Sequence, residues 1–303
     1  MLKQHRKLPL KRRRKSRHYT YVDEKGIACK KIGAFLGKGS FGSTYRMRNK
    51  LDDGIYAVKR VESSDLSEVR NLVALSHPNI IRYFNTKKIK QTLLIAMELI
   101  GSGKTLKDCI DTFGHENCHR IILDVASALQ YIHEKNIIHR DIKSGNIFLD
   151  ENRVVLGDFG HSVYLADNNP YTPQSNSCGS SHLVYRAPEV LNGEEYEKPS
   201  DMFQLGCLFL ELQTGILMDT IVGNSYKDGW RNTTVAWLKT EEARETFQDL
   251  LETESEIEYC SICIDLLNLD QHRRPSATKI FNVLSLEKNS LTSCSSCPEI
   301  SRQ

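Results

Sequence analysis

The run Gly37-Lys38-Gly39-Ser40-Phe41-Gly42 constrains the chain most, because of what flanks it. Residues 32–36 before it and 42–47 after it both read as strands. Glycines let a turn close tightly and let backbone N–H groups approach phosphate oxygens. A dinucleotide-binding unit would send the chain from such a run directly into a helix. Here Ser43-Thr44-Tyr45-Arg46-Met47 is strand-like, which argues against that unit. Taken alone, the run fits a phosphate cradle or a glycine-rich hairpin with no ligand.

The strand pattern continues beyond it. Residues 55–61 follow Asp53-Gly54, a hairpin signal, and residues 81–84 and 93–98 supply two more strands. A helix over residues 65–76 interrupts them, with Val69, Leu72, Val73 and Leu75 as its apolar stripe and His77-Pro78-Asn79 as its stop. Five strands and one helix predict a small sheet with one packed helix.

After Gly101 the texture changes. Residues 117–134 predict a strong amphipathic helix, since Ile121, Ile122, Val125, Ala126, Leu129 and Ile132 recur at three- and four-residue intervals. Residues 188–191, 200–213, 240–253, 257–267 and 276–286 are also helical in pattern. At 303 residues the chain is large for one hydrophobic core. The expectation is an α+β chain with a strand-rich lobe over 26–100 and a larger helical lobe over 101–288. The cleft between them is the natural ligand site. Residues 1–25 read as a basic, disordered tail and 289–303 as a flexible Ser- and Cys-rich one.

Charge excludes some function classes. Residues 1–17 hold nine Lys or Arg and no acid. Removing those nine from the 41 basic side chains leaves 32 against 38 acidic ones, a net of −6. This is a mildly acidic body with a basic tail, which argues against a nucleic-acid-binding domain. The cluster Lys11-Arg12-Arg13-Arg14-Lys15 fits an import signal read by a nuclear import receptor, a solvated tail or a contact to an acidic partner. The expected location is nucleus and/or cytoplasm. The best apolar run, residues 202–217, contains Gln204, Glu211 and Gln213, so a membrane span is not expected. Nine cysteines, an odd number with no secretory signal before them, fit free thiols in a reducing compartment. Cys294 and Cys297 form a CxxC that lacks a second ligand pair for zinc.

Chemistry-bearing residues recur downstream. Lys59 lies in Ala57-Val58-Lys59, on an alternating strand, where it is either a surface residue or a buried point charge. Ile138-His139-Arg140-Asp141-Ile142-Lys143-Ser144-Gly145-Asn146 and Gly157-Asp158-Phe159-Gly160 follow. Phosphoryl transfer needs a phosphate cradle, a cation on the phosphates, oxygen ligands for Mg²⁺ and a carboxylate near the attacking hydroxyl. The chain supplies all of these in one order.

That ordered set, with Ala187-Pro188-Glu189, Asp201 and Arg274-Pro275, resembles the eukaryotic-type protein kinase family over residues 32–285 or so. Lys143 resembles the serine/threonine class. The resemblance implies a two-lobed kinase fold and transfer of the γ-phosphoryl of ATP, with Mg²⁺, to a Ser or Thr hydroxyl of a protein substrate. It implies that Gly37, Lys38, Gly39, Ser40, Phe41 and Gly42 cover the phosphates and that Lys59 binds them. Asp141 would be the catalytic base, Lys143 would stabilise the transferred group, and Asn146 and Asp158 would bind Mg²⁺. Thr44, Ala57 and the gatekeeper Met97 would line the adenine site, with Glu98, Leu99 and Ile100 as the hinge. Arg140 would pair with a phosphorylated loop carrying Ser162, Thr172, Ser175, Ser177, Ser180 and Ser181, or hold the catalytic loop without phosphate. Asp201 would tie the catalytic loop, and Glu189 and Arg274 would form a structural ion pair.

Three departures from the family pattern matter. Thr44 replaces the usual valine. His182 stands where a threonine is usual beside the catalytic aspartate. Glu68, the match for the helix glutamate, follows Lys59 after only eight intervening residues. It therefore falls in the first helical turn, where with Asp65 it also fits a capping box. The spacing leaves open a Lys59–Glu68 pair or a capping glutamate out of reach. The short helix and His182 also keep open a pseudokinase, a nucleotide-binding or scaffold module on the same fold.

Overall fold

A computed structural model describes residues 20–22, 28–39, 42–49, 53–62, 67–112, 115–150, 153–165, 180–225, 233–252 and 257–293. One antiparallel sheet takes up the N-terminal part. Its strands are β1 (Thr20–Val22), β2 (Ala28–Gly39), β3 (Gly42–Asn49), β4 (Ile55–Val61), β5 (Tyr83–Ile89) and β6 (Thr92–Glu98). They lie in the order β1-β2-β3-β4-β6-β5. Strand β1 was not expected: it pairs with β2 from inside the segment the sequence assigns to the tail. The expected strand over 81–84 is displaced to Tyr83–Ile89. Buried Ile80 and Ile81 instead join the lobes, where Ile80 bridges Leu156 and the Ile81 N–H donates to the Leu156 carbonyl at 2.9 Å. The polar residues after Tyr83 then suit an edge strand, where lysines discourage pairing with another chain.

Helix α1 (Ser67–Val73) is the one helix of this lobe among the described residues, and at seven residues it is shorter than the 65–76 pattern. Leu72 and Leu75 are buried, and Val73, counted in the apolar stripe, is exposed.

The second lobe is mainly helical. It contains α2 (His115–Glu134), α3 (Pro188–Leu191), α4 (Lys198–Thr214), α5 (Met218–Ser225), α6 (Thr234–Trp237), α7 (Glu241–Leu251), α8 (Ile257–Leu266) and α9 (Ala277–Ser293). Helices α5 and α6 were not foreseen, and α9 extends into the segment assigned to the C-terminal tail. Thr240 caps α7 by accepting from the Ala243 N–H at 3.2 Å, a cap that fixes where the helix starts. Buried on every side from Ser200 to Gln213, α4 is the lobe's axis. A Cβ on Gly206 would meet Leu266 Cβ at 2.9 Å, so only glycine lets α8 pack this closely on α4. Two buried polar residues of α4, Asp201 and Gln204, bind the segments around it.

Short strands complete the lobe: β7 (Ile137–Ile138) pairs with β10 (Val163–Tyr164), and β8 (Ile147–Asp150) with β9 (Arg153–Leu156). The result is the expected two-lobed α+β architecture. No described helix is long and apolar enough to cross a membrane, and Cys109, Cys118, Cys207, Cys260 and Cys263, the cysteines whose side chains are described, are thiols and not disulfides. Residues 1–19, Asp65, Thr172, Ser175, Ser177, Cys294 and Cys297 lie outside the described residues.

Candidate active site

The cleft between the lobes encloses about 200 Å³. Its roof is the β2–β3 hairpin, in which Gly39 pairs with Gly42. A Cβ on Gly42 would come within 1.9 Å of the Arg60 carbonyl oxygen, so no larger residue fits there without moving the backbone. Gly39 hangs over the opposite wall: a Cβ built on it lies 3.6 Å from Asp158 Oδ2. Gly37, Lys38, Thr44, Ala57, Met97, Glu98, Leu99 and Ile100 line the cleft. Ser40 and Phe41 fall outside the described residues. Leu36, Ile81, Gly103, Thr105, Gly145 and Phe148 line it too, unforeseen, because packing of distant segments brings them there. The Glu98 carboxylate turns away to pair with Arg153 at 2.9 Å.

Lys59 stands in β4, in register between Thr44 and Ile95. Its Nζ donates to Glu68 Oε1 at 2.7 Å and to Asp158 Oδ1 at 2.6 Å. It is a buried point charge and not a surface lysine. Glu68 lies in the first turn of α1, as its spacing requires, and from there it reaches Lys59. Burial alone would lower the Lys59 pKa, but the carboxylates of Asp158 and Glu68 outweigh burial and hold it above its ordinary value. Burial would raise Asp158, and Lys59 pulls it below its ordinary value instead. Burial pushes Glu68 up; Lys59 offsets part of that, and the nearby Asp158 charge adds to it. One ammonium therefore serves two carboxylates within the cleft.

Asp141, Lys143 and Asn146 form a second cluster, of which Asn146 lines the cleft. Lys143 Nζ donates to both Asp141 oxygens, at 2.9 and 2.8 Å. Asn146 Nδ2 donates to the Asp141 carbonyl and to Asp141 Oδ2, each at 2.7 Å. With its NH₂ spent on Asp141, Asn146 offers its amide oxygen on the other side. Asp158 has a left-handed backbone, φ 55°, and its Oδ1 accepts from the Gly160 N–H at 3.4 Å. One carboxylate and one amide oxygen are a donor set suited to Mg²⁺, which takes few protein ligands and completes its shell with phosphate and water.

Asp201 holds the segment just before Asp141. Fully buried, it accepts from the N–H of His139 (2.8 Å), the N–H of Arg140 (2.8 Å) and His133 Nε2 (2.9 Å). Arg140 has φ 66°, a left-handed value strained for a residue with a Cβ. Gln204 adds a second clamp, accepting from the Ile142 N–H and donating to the Arg140 carbonyl. Sequence reasoning counted Gln204 only against a membrane span. A polar residue inside an apolar helix was the signal that could have found it. His139 contacts the Gly157 carbonyl through Nε2 and accepts from the Asp141 N–H at Nδ1, which assigns the Nε2–H tautomer. Burial lowers its pKa and keeps the ring neutral.

The Arg140 Nε donates to the His161 carbonyl at 2.6 Å, and its guanidinium lies 5.9 Å from the Tyr196 ring. Ser162 is buried and bonded within the fold. The side chains of Ser180, Ser181 and His182 are outside the described set. Farther off, Arg274 and Glu189 make a bidentate pair at 2.7 and 2.8 Å.

A model of the protein kinase domain family matches residues 31–284. A putative serine/threonine-protein kinase A of Trypanosoma brucei brucei is 29% identical over 285 residues, covering 88% of this chain and 63% of that protein. The serine/threonine-protein kinase Nek8 of Danio rerio is 28% identical, covering 81% and 35%. An Aurora kinase of Saccharomyces cerevisiae is 33% identical, covering 61% and 52%. The chain thus spans less than two thirds of the length of these relatives.

Proposed function

The chain belongs to the protein kinase domain family, and from that premise we propose that it transfers the γ-phosphoryl of ATP to a serine or threonine hydroxyl of a protein. One observation carries the reading: Lys59 joins Glu68 and Asp158 under the glycine hairpin, in the cleft that also holds Asn146. In this reading the hairpin covers the phosphates and Lys59 holds the α- and β-phosphates. The acceptor oxygen bonds to the γ-phosphorus, the bond to the ADP oxygen breaks, and Asp141 takes the hydroxyl proton. Lys143, already on Asp141, balances charge on the transferred group. Asn146 and Asp158 would hold Mg²⁺, which when bound supplies positive charge for the phosphate oxygens. Asn146 and Lys143 keep the Asp141 carboxylate aimed, so little reorganisation is left for the reaction itself.

The serine/threonine class rests on Lys143 and on the likeness to two serine/threonine-protein kinases. The pseudokinase alternative drew on the short helix and on His182, yet Glu68 reaches Lys59 from the first turn of that helix. ATP-dependent transfer to a mixed Ser, Thr and Tyr peptide library tests the reading, with Asp141→Asn as control. Label on Ser or Thr, lost in the control, is expected; no label, or label on Tyr alone, would overturn it.

We further propose a location in nucleus and/or cytoplasm, with residues 11–15 engaging an import receptor, since they are the densest basic cluster. Alanine replacement of all five should move a fluorescent fusion toward the cytoplasm; an unchanged distribution removes the proposal.

A further inference from the structure

Helix α1 is short, and Glu68 and Asn71 stand one turn apart on the same face of it. Glu68 holds Lys59. Asn71 Nδ2 donates to both the carbonyl oxygen and Oγ of Ser162, each at 2.9 Å. The carbonyl can only accept, so the NH₂ side of the amide must face it. Ser162 Oγ in turn donates to the Phe159 carbonyl at 2.6 Å, and Ser162 is only 5% exposed. Phe159 follows Asp158 and is itself fully buried, packed edge-on against His139 with ring centres 4.7 Å apart.

These contacts close a circuit. Lys59 binds Glu68; one helical turn leads to Asn71; Asn71 binds Ser162; Ser162 binds Phe159; and Asp158, just before Phe159 in the chain, returns to Lys59. A two-turn helix has little intrinsic stability of its own. Its register against the Asp158 turn therefore has to come from contacts such as this one.

We propose that Asn71 is a positioning residue for phosphoryl transfer: by latching onto Ser162 it fixes α1 against the Asp158 turn so that Glu68 meets Lys59. The proposal rests on the kinase reading for its catalytic consequence, while the latch is a property of the fold. Nothing in the local sequence announces it, because the partners are 91 residues apart.

The test uses the full chain with Asn71→Leu, which keeps the volume and removes the donor, and Ser162→Ala, which removes Oγ but keeps the carbonyl. Two readouts are taken: amide hydrogen exchange over residues 67–73 without nucleotide, and kcat with KM for a peptide acceptor. In Asn71→Leu, exchange should rise about tenfold and kcat fall about tenfold, the size of one to two net hydrogen bonds. KM for the acceptor should stay within twofold, and kcat is taken per folded molecule, counted by circular dichroism, so that loss of fold alone cannot give the drop. Ser162→Ala should shift both readouts in the same direction by less, and the double variant should be no worse than Asn71→Leu by more than twofold. Unchanged exchange in Asn71→Leu overturns the latch, and raised exchange with unchanged kcat overturns the positioning role. If the wild-type chain transfers no phosphate, the kinase reading falls instead, and the exchange measurement still decides the latch.

Discussion

Removing the Asp201 carboxylate should loosen the catalytic loop by an amount its hydrogen bonds define. In Asp201→Ala the N–H groups of His139 and Arg140 lose their 2.8 Å acceptor inside the protein. A buried donor left without a partner costs about 1–3 kcal/mol. Two such donors give about 4 kcal/mol, before any relaxation of the left-handed Arg140 backbone. That is a large share of the ~5–15 kcal/mol that holds a domain folded. Asp201→Asn keeps one oxygen but turns an NH₂ toward the other donor, so about half the loss, about 2 kcal/mol, is expected. Denaturant unfolding at pH 7 should rank wild type above Asn above Ala. Turnover of the folded Ala variant should drop at least about tenfold, since Asp141 adjoins the released segment. A loss under about 1 kcal/mol for Asp201→Ala would refute the reasoning, because the two N–H groups would then have other acceptors.

Glu68→Gln keeps an acceptor for Lys59 but removes a charge, so turnover should fall about tenfold while the melting temperature moves little; equal turnover would show that the pair is not used. A pH effect should come from Glu189. Burial would raise its pKa, but hydrogen bonds from Arg274 and Ser200 hold it below its ordinary value of 4.5. A depressed folded pKa means its stabilisation is fully present above the unfolded value and is lost as pH falls through the folded one. Unfolding free energy should therefore drop below about pH 4.5 more steeply in wild type than in Glu189→Gln. Parallel pH curves for the two would contradict this.

The sequence made the site's inventory legible but not its wiring. Glycine spacing between strands placed the hairpin, and the eight residues between Lys59 and Glu68 foretold a glutamate in the first turn, because a chain that must leave a strand and turn has little length left for helix. The apolar period of α2 was readable because a 20-residue helix repeats it several times. Two-residue strands such as β7 and β10 carry no period at all, and β1 has three residues beside a basic tail. Helix α6 is a single turn started by the Thr233 cap, too short for an apolar stripe. Gln204 stood out as a polar residue in an apolar helix, but its partner, like that of Asn71, is set by tertiary packing and not by local spacing.

The central claim is that the cleft under the hairpin carries phosphoryl transfer through Asp158 and its neighbours. The most direct measurement is single-turnover transfer from labelled ATP to a Ser/Thr peptide by wild type and by Asp158→Ala, each shown to be folded by circular dichroism and thermal melting. The account predicts transfer by wild type and none by the variant, with the fold retained. Near-normal transfer by folded Asp158→Ala in the presence of Mg²⁺ would contradict it.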